Sequence, residues 1–147
     1  MKTFYLSAAI AAAVVLGGGT TSQAGKANDT LIFATETDLE NIDAYYNSAR
    51  VGVIVARHVW DNLLYRDPSD FSYKPALATS YKWIDDVTLE FDLRQGVEFH
   101  NGEAFTADDV VYTLNFISNP ENKVVSKRNG AWIKNAEKVD EFKVRIN

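Results

Sequence analysis

The sequence contains no cysteine, and only two histidines and one methionine. Without cysteine the chain has no thiol nucleophile, no thiolate metal ligand and no disulfide, so a secreted form depends on its apolar core for stability. The residue that carries the lipid anchor of bacterial lipoproteins is missing as well. The motifs G-x-S-x-G and H-E-x-x-H and a glycine-rich phosphate loop are also absent, which leaves no familiar catalytic signature.

Long apolar runs are scarce, and the one near the N-terminus is too short to span a membrane. Phe4–Leu16 is an apolar run of 13 residues that follows Lys2, whereas a transmembrane helix needs roughly 20. Small residues come next, and Ser22–Ala24 fits an A-x-A-like cleavage site. The pattern predicts a cleaved signal peptide over residues 1–24 and a periplasmic product.

Basic residues are outnumbered by acidic ones, 15 against 20. Lys2 is the only charged residue of the predicted signal peptide, so the mature chain has one basic residue fewer, 14 against 20. No basic run is present to follow a phosphate backbone, which argues against a nucleic-acid or anionic-membrane partner.

The first half of the mature chain predicts a strand, a helix and a turn. The apolar run Leu31–Ala34 indicates a first strand, and the polar residues Thr35–Asp43 indicate a loop after it. Helical spacing of apolar residues predicts a helix over Ala49–Leu63 that should be largely buried. A short strand follows and should stop at the Asp67–Pro68 turn.

A hairpin is the clearest pattern in the second half. Leu89–Leu93 alternates apolar and polar residues, which predicts a strand with one dry face. Tyr81–Ile84 is its expected partner, across a turn at Asp85–Asp86. Phe142–Ile146 alternates in the same way, so the chain stops inside a predicted strand. Because a native protein seldom stops there, we interpret the sequence as a fragment.

The segment after the hairpin is dense in signals, yet each has a structural role. Val97–Phe99 should continue as a strand, and Asn101–Gly102 indicates a turn with positive φ. Thr106 and Asp109 have the spacing of a capping box, and Asn119–Pro120 should stop the helix that they begin. We interpret this segment as scaffold and not as a catalytic loop.

Candidate catalytic and metal-binding groups are few. His58 lies near the apolar face of its predicted helix, where a core histidine is the simpler interpretation. His100 shares a predicted strand face with Glu98, but two ligands do not make a metal site. Asp108–Asp109 suits the helix dipole, and Asp85–Asp86 suits a turn. The sequence therefore predicts no metal, no cofactor and no catalytic centre.

The aromatic residues allow two interpretations. Trp83 and Tyr81 are assigned to the core, as most large aromatics are. Trp132 begins a strand-like run after Asn129–Gly130, and it is either a core residue or the wall of a groove.

Segments spread over most of the mature chain resemble a known protein family. In chain order they are LIFATETDLENIDAYY, VWDNLLYRDP and YKPALATSYKWIDDVTLEFDLRQGVEFHNGEAFTADDVVYTLNFI. They are similar to the start of the ABC-transporter solute-binding proteins of family 5, the peptide, dipeptide and nickel group. Pro75–Val111 carries the most specific elements, an L-A-x-S-W-like run, then F-x-L-R-x-G-V-x-F-H-x-G and T-A-x-D-V. Tyr81 and Asn101 depart mildly, because the family usually has tryptophan near the first and aspartate at the second.

The resemblance implies the α/β fold of type II periplasmic binding proteins, with two lobes, a hinge and an extra domain near the N-terminus. Family chains are several times longer, so only the N-terminal part is expected. Residues 25–48 would supply the first strand and loop of lobe I. Residues 49–147 would supply the extra α+β domain, incomplete at its C-terminus.

The resemblance also implies a function and a set of ligand contacts. It predicts a monomeric, non-enzymatic, periplasmic component of an ABC importer that captures oligopeptides or dipeptides and delivers them to an inner-membrane permease. The positions that match ligand-contacting segments of the family are Thr37, Asp38, Leu39, Glu40, Tyr46 and Trp132.

Other functions stay open at this point. The same scaffold binds a nickel chelate, an opine or an oligosaccharide in other members of the family. A different class is a secreted hydrolase whose catalytic residues follow Asn147. A small adhesion or interaction domain is a third, and it requires the mature residues to fold alone.

Overall fold

A computed structural model describes residues 29, 32, 34–39 and 41–147, and every element below lies in the compact unit that begins at Thr35. The predicted signal peptide and the site residue Glu40 lie outside the described residues. So do Leu31 and Phe33 of the predicted first strand, which stays a prediction.

The described part of the chain contains three α-helices, one short 3₁₀ turn and six strands. In chain order they are α1 (Arg50–Val59), β1 (Leu64–Arg66), β2 (Tyr73–Pro75), β3 (Ala78–Trp83), β4 (Leu89–Leu93), α2 (Ala107–Ser118), the 3₁₀ turn (Pro120–Asn122), α3 (Lys127–Gly130), β5 (Ala136–Asp140) and β6 (Lys143–Ile146). Strands β1 and β2 form an antiparallel pair, and the other four form an antiparallel sheet in the order β3-β4-β6-β5.

The predicted hairpin is confirmed, and its dry face is the centre of the core. Strand β4 pairs with β3 on one side and with β6 on the other, so that Phe91 lies opposite both Tyr81 and Val144. Directly opposite residues of an antiparallel pair point to the same face. Phe91, Leu93 and Val144 are all buried, as the alternation of both strands predicts.

Helix α2 begins as the sequence predicts and covers the apolar face. The backbone N–H of Thr106 donates to Asp109 Oδ2 at 2.8 Å, and the backbone N–H of Asp108 donates to Thr106 Oγ1 at 3.3 Å. Ala107 and Val110 are buried in the core. The helix ends at Ser118, immediately before the Asn119–Pro120 pair that was expected to stop it.

One asparagine attaches α2 to the edge of the sheet. The side chain of Asn115 donates to the carbonyl of Ala136 at 2.9 Å and accepts from the N–H of the same residue at 2.8 Å. Ala136 opens the edge strand β5 and is buried. The amide thus completes both backbone hydrogen bonds that an edge residue lacks on its open side.

The expectation that α1 is largely buried is wrong. The helix ends at Val59, and only Gly52 and Ala56 are fully buried. Val53 and Trp60 are exposed. The helix contacts the protein through a narrow strip of small residues four positions apart, so its larger apolar side chains lie at the border or outside the contact.

Three local assignments are corrected by tertiary contacts. Tyr81 and Trp83 are not core residues, being 44% and 61% exposed, because β3 is the edge strand farthest from the one that α2 covers. His58 is exposed, and its Nδ1 donates to the carbonyl of Ile54 at 2.7 Å.

The loop before α2 also differs from the expected strand. Glu98 makes a single bridge with Ala104, so Val97–Phe99 does not extend the sheet. The turn is confirmed, since Gly102 has φ +85° and its N–H donates to the carbonyl of Phe99 at 2.8 Å. A side chain at that φ would strain the backbone.

Candidate functional site

The predicted ligand loop lies over the start of α1. Thr37, Asp38 and Leu39 are exposed and line a small hollow of about 180 Å³ together with Asn47, Ala49, Val51 and Gly52. The loop packs closely on the helix at Gly52, where a Cβ would lie 3.1 Å from the carbonyl oxygen of Asn41 and would also crowd the Asn47 side chain. The structure therefore presents three of the predicted site residues together at one accessible surface.

The segment behind this loop is fixed by side-chain caps. Asp43 Oδ1 accepts from the backbone N–H groups of Tyr45 and Tyr46, at 2.8 and 3.3 Å. The N–H of Asp43 donates to Asn41 Oδ1 at 2.6 Å, and the Asn47 side-chain amide donates to the carbonyl of Asn41. Asparagine and aspartate hold turns in this way by bonding to backbone two or three residues on.

Tyr46 serves a structural contact in this chain. Its hydroxyl donates to the carbonyl of Asn122 at 2.7 Å, and the N–H of Val125 donates to the carbonyl of Tyr45 at 2.8 Å. These two bonds tie the loop to the segment that follows α2. Burial, and to a lesser degree the nearby Asp43 carboxylate, raises the pKa of Tyr45.

Trp132 lies in the turn between α3 and β5 and does not begin a strand as expected. It is 61% exposed, while its neighbour Ile133 is buried and donates its N–H to the carbonyl of Gly130 at 3.0 Å. The exposed indole of Trp132 is thus held in position by the buried side chain of the next residue, Ile133. Strand β5 begins at Ala136. Two residues before it, the N–H of Lys134 donates to the carbonyl of Asn147 at 2.6 Å.

Trp132 and Trp83 wall a shallow groove of about 800 Å³ at one end of the sheet. Leu89 and Ile146 form its apolar floor, and Asp86, Lys134 and Glu137 supply the charges at its rim. Sequence reasoning missed Trp83 for this groove. The signal that could have found it is its position at the last residue of β3, opposite Leu89.

The five predicted site residues that the structure describes therefore fall in separate places. Thr37–Leu39 line the hollow over α1, Tyr46 contacts the segment after α2, and Trp132 lines a different cavity at the end of the sheet. Within the described ranges, no group of three or more His, Asp or Glu side chains could hold a metal ion. The arrangement offers apolar walls and single polar groups, which suit binding.

The strongest charge cluster lies on the opposite, polar face of the sheet. Glu90 is paired with Lys82 at 3.1 Å and with Arg145 at 2.8 Å, and hydrogen bonds from these two cations lower its pKa. A hydrogen bond from Ser80, and next one from Lys143, lowers the pKa of Asp92. Each carboxylate of this cluster is paired with cations on neighbouring strands, so the cluster links β3, β4 and β6 on the polar face of the sheet.

Comparison with known proteins decides the family. Residues 72–147 match the bacterial extracellular solute-binding proteins, family 5 Middle. The chain belongs to this family.

Named family 5 proteins match well beyond that region. The glutathione-binding protein GsiB of Pectobacterium atrosepticum is 30% identical over 146 residues, which are 99% of this chain and 27% of that relative. The oligopeptide-binding protein AppA of Bacillus subtilis, solved with a nonapeptide, has a TM-score of 0.66 and 25% identity over 70% of this chain and 20% of its own. NikZ of Campylobacter jejuni, solved with Ni(L-His), has a TM-score of 0.63 and 28% identity over 76% of this chain and 22% of its own.

These matches confirm the family resemblance and the fold class. The described sheet and helices are part of the α/β fold of type II periplasmic binding proteins. The chain spans 27% of the curated family 5 relative and 20 to 22% of the two solved chains. At the family level these relatives are solute-binding proteins and not enzymes. Among the described residues, no helix has the length and apolar character needed to cross a bilayer.

Proposed function

We propose that this chain is part of the substrate-binding component of a bacterial ABC importer, and that it captures peptides in the periplasm and delivers them to an inner-membrane permease. Membership of family 5 supports the proposal, as does the nonapeptide bound by AppA. The observation that carries it in this chain is the common exposure of Thr37, Asp38 and Leu39 at one hollow over the start of α1.

The proposed contacts follow from the chemistry of an extended peptide. Backbone groups of Thr37, Leu39 and Glu40 would pair with the peptide backbone, which gives affinity without reading side chains. The Asp38 carboxylate would accept hydrogen bonds from the terminal ammonium, the stronger, charge-assisted kind. Trp132, and more weakly Tyr46, would form apolar walls for the peptide's side chains.

For delivery, the permease must distinguish the ligand-bound protein from the free protein, which requires a change of conformation on binding. Closure of two lobes about a hinge is a known way to make one, and its free energy comes from contacts formed only in the closed state. In this scheme the Thr37–Leu39 loop would belong to one of the two surfaces that close over the ligand. The partners in this scheme are the peptide and the permease, with the binding protein acting as a monomer.

Calorimetric titration with peptides of two to nine residues tests the proposal. A peptide with a free amino terminus should bind, and Asp38→Asn should weaken it about fivefold, the effect of losing roughly 1 kcal/mol. Glu141→Gln, an acid-to-amide change at another exposed position, should leave the affinity unchanged. Equal binding of the free and the N-acetylated peptide would contradict the role of Asp38.

Two arms of the same experiment address the other functions. NikZ, 28% identical, was solved with Ni(L-His), so saturable heat with nickel and histidine but none with peptides would favour a chelate-binding member of the family. Chromatography of the peptide after incubation separates a binder from a hydrolase, because a binder returns its ligand intact.

A further inference from the structure

We propose that this chain carries a second site, which binds a small organic cation in an aromatic cavity between the end of α1 and the inner face of α2. The cavity has a volume of about 330 Å³. Its aromatic walls come from three separate segments and are Tyr45, Trp60, Phe99 and Phe105. The peptide contacts Thr37, Asp38, Leu39, Tyr46 and Trp132 do not line it. The two proposed sites can therefore be tested independently.

Among the residues that the structure describes, the charges that line the cavity are all negative. Asp61 and Asp109 contribute carboxylates, and no described lysine, arginine or histidine is part of the lining. Asp109 has its Oδ2 occupied by the cap of α2, where it accepts from Thr106. The ion pairs between described residues do not include Asp61. A positively charged occupant is the one that complements this wall.

The geometry of the rings suits a cation. The ring centroids of Phe99 and Phe105 lie 6.0 Å apart with the ring planes at 74°, so the two rings pack edge to face at one side of the cavity. Phe105 is buried and forms the floor, while Trp60 and Phe99 are exposed at the rim. The faces of aromatic rings attract cations through the ring quadrupole, and a box of such faces is a known receptor for quaternary ammonium groups.

Hydrogen bonds hold the walls together without any occupant. His100 Nε2 lies 3.0 Å from the carbonyl of Val59, which ties the Phe99 loop to the residue before Trp60. The N–H of Leu77 donates to the carbonyl of Asn62 at 3.0 Å, and the N–H of Phe105 donates to the carbonyl of Val97 at 2.9 Å. A cavity built in this way needs little rearrangement on binding.

The size of the cavity limits the ligand. About 330 Å³ is at the lower end of the range for small-molecule sites. It admits a compact ammonium compound such as choline and excludes a folded or extended peptide of several residues. The negative charge, the aromatic lining and the volume together point to a small organic ammonium ion as the ligand class.

A titration of the 147-residue chain with choline, followed by two-dimensional NMR, tests this assignment. Choline should shift the indole N–H signal of Trp60 in a saturable manner. The neutral isostere 3,3-dimethylbutan-1-ol has the same shape without the charge and should bind at least about fivefold more weakly. Equal affinity for the two compounds, or no saturable shift with choline, would overturn the proposal.

Two variants and two matched controls locate the site. Asp61→Asn and Trp60→Leu should each weaken choline binding about threefold to fivefold. Asp86→Asn and Trp83→Leu make the same changes in the groove of Trp132 and should leave it unchanged. Asp61 is exposed, so its variant keeps the test valid even where Trp60→Leu affects folding. A response of the control pair with none of the Asp61 and Trp60 pair would assign choline to the other groove and refute the inference.

Discussion

At the scale of single residues, Glu90 shows how the polar face of the sheet is organised. Its side chain is 4% exposed, yet the partners that cover it are the surface side chains of Lys82, Lys143 and Arg145. Because these cations are themselves open to water, each ion pair is screened and individually weak. The carboxylate is fully paired on a strand whose other face is the core.

The pKa of Glu90 predicts how this cluster responds to acid. Hydrogen bonds from Lys82 and Arg145 lower the folded-state pKa below the unfolded value of about 4.3. The stabilisation is therefore present above the unfolded pKa and is lost as the pH falls through the folded pKa. We expect Glu90→Gln to lower the melting temperature by several degrees at pH 7.

The comparison across pH makes this prediction specific. The difference in melting temperature between the wild type and Glu90→Gln should shrink as the pH falls below about 4. Glu141→Gln removes an exposed carboxylate that is not part of any ion pair between described residues, so it should change the melting temperature much less than Glu90→Gln at every pH. A difference that stays constant down to pH 3 would show that the amide disturbs packing and not an ion pair.

At the scale of elements, the start of α2 rests on a cap that can be tested directly. Thr106 Oγ1 accepts from the N–H of Asp108, and Asp109 returns the bond to the N–H of Thr106. Replacing such a threonine by alanine costs about 1 kcal/mol. We expect Thr106→Ala to lower the free energy of unfolding by that amount in urea titrations, whereas Thr106→Ser, which keeps the hydroxyl, should retain most of it. Equal losses in both variants would contradict the capping role.

The attachment of α2 to the sheet carries a larger expected effect. Asn115→Ala removes both hydrogen bonds to the buried backbone of Ala136, which should lower the free energy of unfolding by about 2 kcal/mol. Amide hydrogen exchange at Ala136 should accelerate as well, because that N–H loses its acceptor. Asn129→Ala, at an exposed position in α3, is the matched control. Unchanged exchange at Ala136 would show that the edge strand is held by other contacts.

These elements also show what local sequence can and cannot predict. The alternation of apolar and polar residues predicted strand β4 and the residues of its buried face correctly. Such a pattern depends only on the two-residue repeat of a strand. The general tendency of large aromatics to be buried placed Tyr81 and Trp83 in the core wrongly, because burial on an edge strand depends on where α2 packs. The link from Asn115 to Ala136 joins residues 21 positions apart, and no local pattern predicts it.

At the scale of the whole molecule, the candidate site was less predictable than the fold. The family resemblance supplied the Thr37–Glu40 loop and Tyr46 as ligand contacts, and it favoured the groove interpretation of Trp132, which the local sequence had left open. Their separation into different cavities is a property of the topology, which brings β3 and the turn after α3 to one end of the sheet. The cavity with Asp61 and Trp60 was likewise invisible in sequence, because its walls come from segments far apart along the chain.

The distribution of tryptophan over the molecule leads to a last prediction. Trp60, Trp83 and Trp132 are 41%, 61% and 61% exposed, and they are the three tryptophans of the chain. None is part of the buried core, so native fluorescence should be red-shifted, open to acrylamide quenching and little changed by urea. Far-UV circular dichroism should report the same unfolding as a clear transition, because the sheet and α2 carry that signal. A blue-shifted native emission that moves to the red together with the loss of circular dichroism would contradict the exposure of these side chains.

Repeating the measurement with Trp83→Leu and Trp60→Leu would then show which indole is covered. Choline should quench or shift only the fraction of emission that Trp60→Leu removes, which ties this spectrum to the proposed cation site.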